Sequence, residues 1–146
     1  MIAQNKKARF SYEIVDTHEA GIELKGSEVK SLREGGGSIN EAYVVPQADQ
    51  MYIRGMTIPP YTHAAAYQED PARDRRLLLH RREIDRLAGQ VAQKGMTLIP
   101  LKLYFNERGM VKLQIALGKG KSEIDKRQTI KEREQKRELQ REYKVR

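Results

Sequence analysis

The chain has 146 residues, no cysteine and a formal net charge of +8, and its length suits one domain with an appendage. The absence of cysteine excludes a disulfide scaffold, a thiolate zinc site and a cysteine nucleophile. No apolar run reaches the roughly 18 residues of a membrane span, and the N-terminus lacks the apolar stretch of a signal peptide. We therefore expect a cytoplasmic protein without a membrane partner.

The first 118 residues predict a β-rich domain. Short, partly alternating runs of β-branched and aromatic residues indicate strands, and the glycine-rich and polar stretches between them indicate turns. In chain order the first predicted elements are strands at 9–16 and 21–25 around a turn or a sharp bend at 17–21, a helix at 27–32, and strands at 42–45 and 51–56 around a turn at 47–50. They are followed by an irregular segment at 58–75, a helix at 81–94, and a hairpin of strands at 97–105 and 111–117.

Capping residues and apolar periodicity predict the two helices. Ser27 is suited to cap the short helix, in which Leu32 would face inward. The longer helix has an apolar stripe that includes Ile84 and Leu87, and Gly95 follows it at the position of a left-handed cap. About six short strands with helices between them favour a small barrel, because closure removes unpaired strand edges.

Residues 119–146 differ in character from the rest of the chain. They contain 11 Lys or Arg and 6 Asp or Glu, a balance of +5. The segment has few apolar side chains to bury, so we expect it to be disordered when free, although helix-forming residues dominate it. In a helix, Arg133, Arg137 and Arg141 would form one row. Such a cationic segment indicates a polyanionic partner such as RNA, with a merely solubilising tail as the alternative.

The sequence contains no recognisable catalytic motif. Gly120-Lys121-Ser122 resembles the end of a phosphate-binding loop, but that loop needs a glycine at position 115, where Ile115 stands. The three histidines are scattered along the chain, and the neighbouring carboxylates at 69–70 are more simply part of a solvated loop. We therefore predict a protein that is not an enzyme, with no catalytic residue, cofactor or metal.

Several segments, in order along residues 5–127, together resemble small protein B, the family that binds SsrA RNA (tmRNA) in bacterial ribosome rescue. No segment is diagnostic alone, but their succession at the family's spacing is specific. The segments lie at 5–9, 19–21, 26–33, 70–71 with Arg73, 75–80, 94–97, 100–105, 119–121 and 125–127.

The resemblance implies a mainly β fold, with a closed antiparallel barrel of the oligonucleotide/oligosaccharide-binding (OB) type and accessory helices over 1–118. A basic tail over 119–146 would be disordered when free and helical on the ribosome. By resemblance the barrel binds the tRNA-like domain of tmRNA. The tail enters the empty mRNA channel of a stalled ribosome and probes the decoding centre of 16S rRNA. Elongation factor Tu and alanyl-tRNA synthetase are linked to this function, because alanylated tmRNA is brought to the vacant A site and the nascent chain is tagged.

The resemblance also implies two sets of functional residues. Glu19, Leu78 and His80 match positions important for tmRNA binding, and Tyr12 is suited to stack on a base. Phosphate contacts are expected from Asn5, Lys6, Lys7, Arg9, Lys30, Arg33 and Arg76. Ribosome contacts are expected from Lys119, Lys121, Asp125, Lys126, Arg127, Arg133, Arg137 and Arg141. Ser122 and Ile124 depart from the lysine and the aromatic or histidine that are usual in the family.

Simpler interpretations of these residues stay open at this point. In the simpler interpretation, Glu19 is an ordinary surface residue of a turn without a role in RNA binding. Tyr12 is then a half-buried tyrosine of a strand that does not stack on a base. In the same interpretation, the run at 77–79 is a buried apolar stretch before a helix that starts at His80. Each basic residue is then a plain surface charge that contacts no phosphate. For the whole protein, the alternatives are a constitutive ribosomal or general single-stranded RNA-binding OB-fold protein, and a nuclease.

Overall fold

The computed structural model describes residues 1–61 and 70–120. The predicted tail therefore lies outside the described residues from position 121 onward. No helix in the described part of the chain is both long and apolar enough to cross a membrane. The elements are β1 (Ala3–Gln4), α1 (Ala8–Ser11), β2 (Tyr12–Ile22), α2 (Gly26–Arg33), β3 (Tyr43–Gln47), β4 (Gln50–Arg54), β5 (Arg75–Leu78), α3 (Arg81–Lys94), β6 (Thr97–Phe105) and β7 (Val111–Gly120).

All strand pairings in this sheet are antiparallel. Six strands pair in the order β6, β3, β4, β5, β2 and β7, and β7 pairs with β6 again, so the pairings form a closed circuit. The short strand β1 adds to β6 outside this circuit. Pairing on both sides leaves few free edges on the six strands. The predicted mainly β, antiparallel fold with helices is confirmed.

The core is built from the inward-facing residues of the strands together with α2 and α3. Strand residues alternate between the two faces of a sheet. On β2, for example, Ala20 and Ile22 are buried whereas Glu19 is exposed. The apolar stripe of α3 places Ile84 and Leu87 in the core, as predicted. The largest fully buried apolar side chains are Leu32, Ile39, Met51, Ile53, Met56, Leu77, Leu87, Leu98, Leu103, Leu113 and Ile115.

Elements with clear turn or cap signals are confirmed. Helix α3 has its predicted bounds and ends at Gly95, whose φ of 64° is left-handed. The β6–β7 and β3–β4 hairpins both form, and the second turns through Ala48 and Asp49, which both have positive φ. Helix α2 also forms, but the predicted cap at Ser27 is wrong, because the helix begins at Gly26.

The predicted turn or sharp bend at 17–21 is wrong, because these residues lie inside β2 and pair without interruption with β7. The irregularity in this pairing falls earlier, as a register shift between Ile14 and Asp16, where a bulge bends the strand. Gly21 serves close packing instead of a turn. A Cβ atom at Gly21 would lie 3.1 Å from Cβ of Leu78 on β5, so glycine permits the two strands to approach closely.

The predicted strands at 9–16 and 21–25 are parts of one longer strand with different ends. Arg9 lies in α1, and β2 starts only at Tyr12. The strand ends at Ile22, so the second prediction extends too far. The two-residue strand β1 was not predicted, because its length leaves no visible alternation.

Strand β5 was also not predicted, because it begins with two arginines at the end of the segment predicted as irregular. Arg75 and Leu77 are buried, whereas Arg76 and Leu78 are exposed. The alternation of a strand is therefore present, but the inward row contains a charge. The simpler interpretation of a buried apolar run is wrong for Leu78, which is 49% exposed.

A buried carboxylate on α2 compensates the charge of that arginine. An oxygen of Glu28 lies 2.7 Å from Nη2 of Arg75, and the other lies 2.6 Å from Nη2 of Arg73. Arg75 also donates hydrogen bonds to the carbonyl oxygens of Met56, Arg73 and Pro71, at 2.9–3.1 Å. These contacts satisfy the guanidinium and join α2, β5 and both described sides of the irregular segment.

The same contacts set the ionisation of Glu28. Burial alone raises the pKa of Glu28, but hydrogen bonds from Arg73, the Lys25 backbone and Arg75, with the charge of Arg75, outweigh burial. The net pKa therefore lies below the usual 4.5. A pKa that is depressed in the folded state means that ionised Glu28 stabilises the fold above about pH 4.5. That stabilisation is lost as the pH falls through the folded-state pKa.

Glu28→Gln removes the charge that compensates Arg75, so we expect the free energy of unfolding to fall by about 3 kcal/mol at neutral pH. Urea unfolding measures this difference. The difference should begin to narrow below about pH 4.5, where Glu28 of the unfolded chain becomes protonated, and should be lost as the pH falls through the lower folded-state pKa. Glu23→Gln is the control, because Glu23 is an exposed partner of Arg76 and its loss should cost less than about 1 kcal/mol. Equal losses in the two variants would contradict this role of Glu28.

Candidate nucleic-acid interface

Outward-facing residues of β2, β4, β5 and β7, with the residue that precedes α3, line one cavity of about 440 Å³. They face the same side because every second residue of a strand points away from the core. We call this cavity the polar groove. Its polar and outward-facing side chains include two carboxylates and are those of Glu19, Gln50, Arg76, Leu78, His80, Glu83 and Lys112.

Four of the predicted RNA-binding residues meet in the polar groove. Glu19 comes from β2, Arg76 and Leu78 come from β5, and His80 is the N-cap residue of α3. Glu19 is not a turn residue, because it lies in a fully paired part of its strand. Leu78 reaches the groove because it occupies an outward position of β5. The structure therefore brings together residues that the sequence separates by up to 61 positions (19 to 80).

A tyrosine that was not predicted orients the groove's carboxylate. The Tyr104 hydroxyl donates a hydrogen bond to Oε2 of Glu19. Tyr104 stands on β6, so its side chain crosses β7 to reach β2. Burial, with the hydrogen bond to Glu19 and the charge of Glu19, raises the pKa of Tyr104 to about 12. The phenol therefore stays protonated at neutral pH and remains a hydrogen-bond donor.

Two lysines border Glu19 on the same face. Gln114 of β7 pairs with Glu19 on one side and with Lys102 of β6 on the other, so the three residues form one row across the strands. Lys112 lies two residues along β7. Within the described residues, neither lysine forms a salt bridge. An acceptor bordered by unpaired cations suits a ligand that has both hydrogen-bond donors and phosphate groups.

Arg76 and His80, the other predicted RNA-binding residues with polar side chains in the polar groove, are accessible to a ligand. Nη2 of Arg76 lies 2.6 Å from Oε2 of Glu23, and both side chains are largely exposed. A phosphate would therefore compete with Glu23 for this guanidinium. The exposed His80 side chain makes no capping hydrogen bond to α3, so both ring nitrogens are left to a ligand or to water.

A second cavity, of about 320 Å³, adjoins the polar groove and is mostly apolar. The two cavities share Gly21, Leu78 and Lys112. Val29 of α2 and Met110 of the β6–β7 turn line the rest, and Met110 is 58% exposed. We call this cavity the apolar groove. Exposed apolar side chains beside a polar site offer a surface for the face of a base or a ribose.

The N-terminal candidates lie at the other end of β2, and the structure does not bring them beside Glu19. They are Asn5, Lys6, Lys7, Arg9 and Tyr12. Asn5, Lys7 and Tyr12 line a separate cavity of about 320 Å³. Tyr12 and Gly21 are nine positions apart on one strand, which corresponds to about 30 Å. The predicted patch around Glu19 is therefore divided into two surfaces.

The two candidates on α2 stand close to aromatic rings. Nζ of Lys30 lies 5.8 Å from the ring centre of Tyr61, and Cζ of Arg33 lies 5.9 Å from the ring centre of Phe105. Both side chains are exposed. Arg33 is also near Gly109 of the turn that borders the apolar groove. A cation held over a ring keeps its charge available to solvent.

Most of the predicted ribosome contacts fall outside the described residues. Lys119 is the exception, and it lies in β7 opposite Glu13 of β2. The others are Lys121, Asp125, Lys126, Arg127, Arg133, Arg137 and Arg141.

The described part of the chain contains no group of three or more His, Asp or Glu residues that could hold a metal ion. His18 is half-buried, with Nε2 3.2 Å from Asp16 and Nδ1 4.0 Å from Glu83.

Comparisons with known proteins agree on one family. A family model described as SmpB protein matches residues 2–145. The chain is 54% identical over 136 residues to the SsrA-binding protein of Chlorobaculum tepidum, covering 93% of this chain and 87% of that protein. It is 51% identical over 141 residues to the SsrA-binding protein of Rhizobium meliloti, covering 97% and 89%. A chain from the structure "tmRNA-SmpB: a journey to the center of the bacterial ribosome" is similar with a TM-score of 0.67 and 44% identity, covering 87% of this chain and 92% of that one.

Glu19→Gln should lower the pKa of Tyr104, because it removes the negative charge that stabilises the protonated phenol. The pKa should fall from about 12 but stay above 10.0, since burial, the larger cause, is unchanged. NMR of ring-labelled tyrosine through the alkaline range measures the value. Glu13→Gln, an equal charge change elsewhere on β2, is the control. A Tyr104 pKa that responds equally to both variants would contradict the direct contact.

Proposed function

The chain belongs to the SmpB protein family, and we propose that it binds tmRNA and delivers it to stalled ribosomes. The observation that carries the proposal is the polar groove, which gathers Glu19, Leu78 and His80 on one surface. These residues match the positions that the family uses to bind tmRNA. The names of the relatives, SsrA-binding proteins, and the tmRNA-SmpB neighbour support an RNA partner.

The charges of the polar groove favour a structured RNA over an arbitrary polyanion. An ionised Glu19 repels phosphate, so its contact must be a base N–H or a ribose 2′-hydroxyl. Lys102 and Lys112 attract phosphates on either side of it. His80 donates or accepts one further hydrogen bond. An RNA that places a donor at Glu19 and phosphates at the two lysines would satisfy these groups together.

We assign the closed circuit of strands to an OB-type barrel that forms the tmRNA-binding domain over 1–118. The cations at the far end of β2 and on α2 would contact phosphates on either side of the tRNA-like domain, with Tyr12 stacking on a base. The barrel acts without enzymatic activity. Its affinity for RNA should fall with salt, as phosphate contacts require.

The tail over 119–146 is the second part of the proposal. It would enter the empty mRNA channel of a stalled ribosome and contact the decoding centre through its charged residues. Elongation factor Tu would carry tmRNA, alanylated by alanyl-tRNA synthetase, into the A site, and tagging of the nascent chain would follow. This division assigns RNA selection to the barrel and ribosome recognition to the tail.

The alternative is a constitutive ribosomal or general single-stranded RNA-binding protein. The exposed Tyr43 beside Tyr12, in the cavity at the far end of β2, is the observation that favours it, because aromatic residues bind single strands with little sequence preference. The two functions differ in selectivity. A general binder would hold tmRNA no more tightly than other RNAs at the same salt concentration.

Glu19→Gln and His80→Ala should each weaken binding of the tRNA-like domain by about tenfold, because each removes a hydrogen bond to a buried RNA donor or acceptor. A gel-shift titration at fixed, stated salt measures the dissociation constants. Glu13→Gln, on the same strand but away from the groove, should bind like wild type.

The same titration distinguishes the alternative function. Excess unrelated single-stranded RNA should not displace the tRNA-like domain from wild-type protein. Equal competition by the two RNAs, or equal affinity of all variants, would contradict selection by the polar groove.

Replacing Asp125, Lys126 and Arg127 together by alanine should abolish tagging of stalled chains, because the tail contacts would be lost. The dissociation constant for tmRNA should stay within about twofold of wild type, since these residues lie outside the barrel. Tagging in a reconstituted translation system and the gel shift measure the two effects. Loss of tmRNA binding in the triple variant would refute the division between barrel and tail.

A further inference from the structure

Of the two carboxylates that line the polar groove, Glu83 lies 4.0 Å from His18, whereas Glu19 has one engaged oxygen and one open oxygen. Tyr104 donates to Oε2 of Glu19, while no hydrogen bond to Oε1 is formed within residues 1–61 and 70–120. An ionised carboxylate offers about four acceptor positions, so about three remain for a ligand. Because Tyr104 reaches Glu19 from across β7, it restricts the rotation of the carboxylate. The groove therefore presents an oriented pair of acceptor atoms.

We propose that Glu19, oriented by Tyr104, binds the Watson–Crick edge of an unpaired guanine in the RNA. Tyr104 is then a positioning residue for base recognition, acting through Glu19. This inference rests on the proposed function, which supplies the RNA. It adds the identity of the base and a residue that the family resemblance did not indicate.

Guanine fits because it alone among the four RNA bases presents two N–H donors side by side, at N1 and N2. These two donors match the two oxygens of one carboxylate. Adenine and cytosine present one amino group beside an acceptor nitrogen, which the negative charge of Glu19 would oppose. Uracil presents one N–H between two carbonyl oxygens, which the charge would also oppose. The acceptor pair therefore selects guanine by unfavourable contacts to the others as well as by its own hydrogen bonds.

The surroundings of Glu19 suit the rest of a guanine nucleotide. Lys102 and Lys112 are suited to the acceptors O6 and N7 of the base or to its phosphate. The apolar groove begins at Gly21 and Leu78, beside the carboxylate, and offers apolar surface to the face of the base. A side chain at Gly21 would crowd Leu78 at this junction.

The test uses full-length protein and tRNA-like domain RNAs in which one unpaired guanine at a time is replaced by inosine, which lacks the N2 amino group. One such replacement should weaken wild-type binding by about tenfold. The same RNA should bind Glu19→Gln as well as the unmodified RNA does. With Tyr104→Phe, which keeps the ring but cannot hold the carboxylate, the inosine penalty should shrink to about twofold.

Two controls separate recognition from folding. Glu13→Gln should keep the full inosine penalty, and inosine at a guanine inside a base-paired stem should give the same factor with every variant. Tyr104→Phe should keep the wild-type melting temperature within a few degrees, since the lost hydrogen bond is at the surface. A changed inosine penalty then reports the orientation of Glu19 and not general stability.

The binding measurements test guanine recognition, the positioning role of Tyr104 and the proposed function separately. Equal inosine penalties in wild type and Glu19→Gln at every position would overturn guanine recognition, even with tmRNA binding intact. A full penalty in Tyr104→Phe would overturn the positioning role of Tyr104. Failure of wild type to prefer the unmodified tRNA-like domain over unrelated RNA would refute the proposed function itself, and is read before any inosine is introduced.

Discussion

The buried contact between Glu28 and Arg75 is the constraint on which the proposed RNA-binding surface depends. Side chains in a strand alternate strictly, so the residue that points inward determines the direction of all the others. With Arg75 held inside by Glu28, Arg76 and Leu78 must point outward into the polar groove. A shift of one residue would bury them. The same contact anchors α2, which brings Val29 to the apolar groove.

The parts of the fold that the sequence predicts well are those whose signals are local. Helix α3 has its own apolar stripe and its own glycine cap, and the β6–β7 hairpin alternates regularly around a polar turn. Strand β5 could not be found in this way, because an inward Arg75 is reasonable only when Glu28, 47 positions earlier, is known to lie beside it. The prediction at 17–21, which relied on Gly21, is wrong for a related reason. A glycine marks both turns and close strand approaches, and only the position of Leu78 distinguishes them.

The shape of β2 also decides where the predicted RNA-binding residues lie relative to one another. A turn at 17–21 would fold the preceding run back beside Glu19, and the basic N-terminal residues would then surround it. One continuous strand instead places Tyr12 far from the groove. Lys112 was within reach of sequence reasoning, since it occupies an outward position of a regular strand. Tyr104 could not be identified from the sequence, because its contact with Glu19 depends on β7 lying between β6 and β2.

The pairing of β2 with β7, interrupted only by the bulge between Ile14 and Asp16, fixes the distance between the two ends of this two-stranded ribbon. One end carries Gly21 opposite Lys112 at the grooves, and the other carries Tyr12 opposite Gly120, where the chain continues into residue 121. Under the proposed function, the distance between RNA bound at the polar groove and the start of the tail would therefore be at most about 30 Å. Adding two residues to both strands would lengthen this interval by about 7 Å and leave the two ends unaltered. The length of the two strands therefore determines the distance between the polar groove and the start of the tail. The side chains of the groove determine separately which ligand it binds.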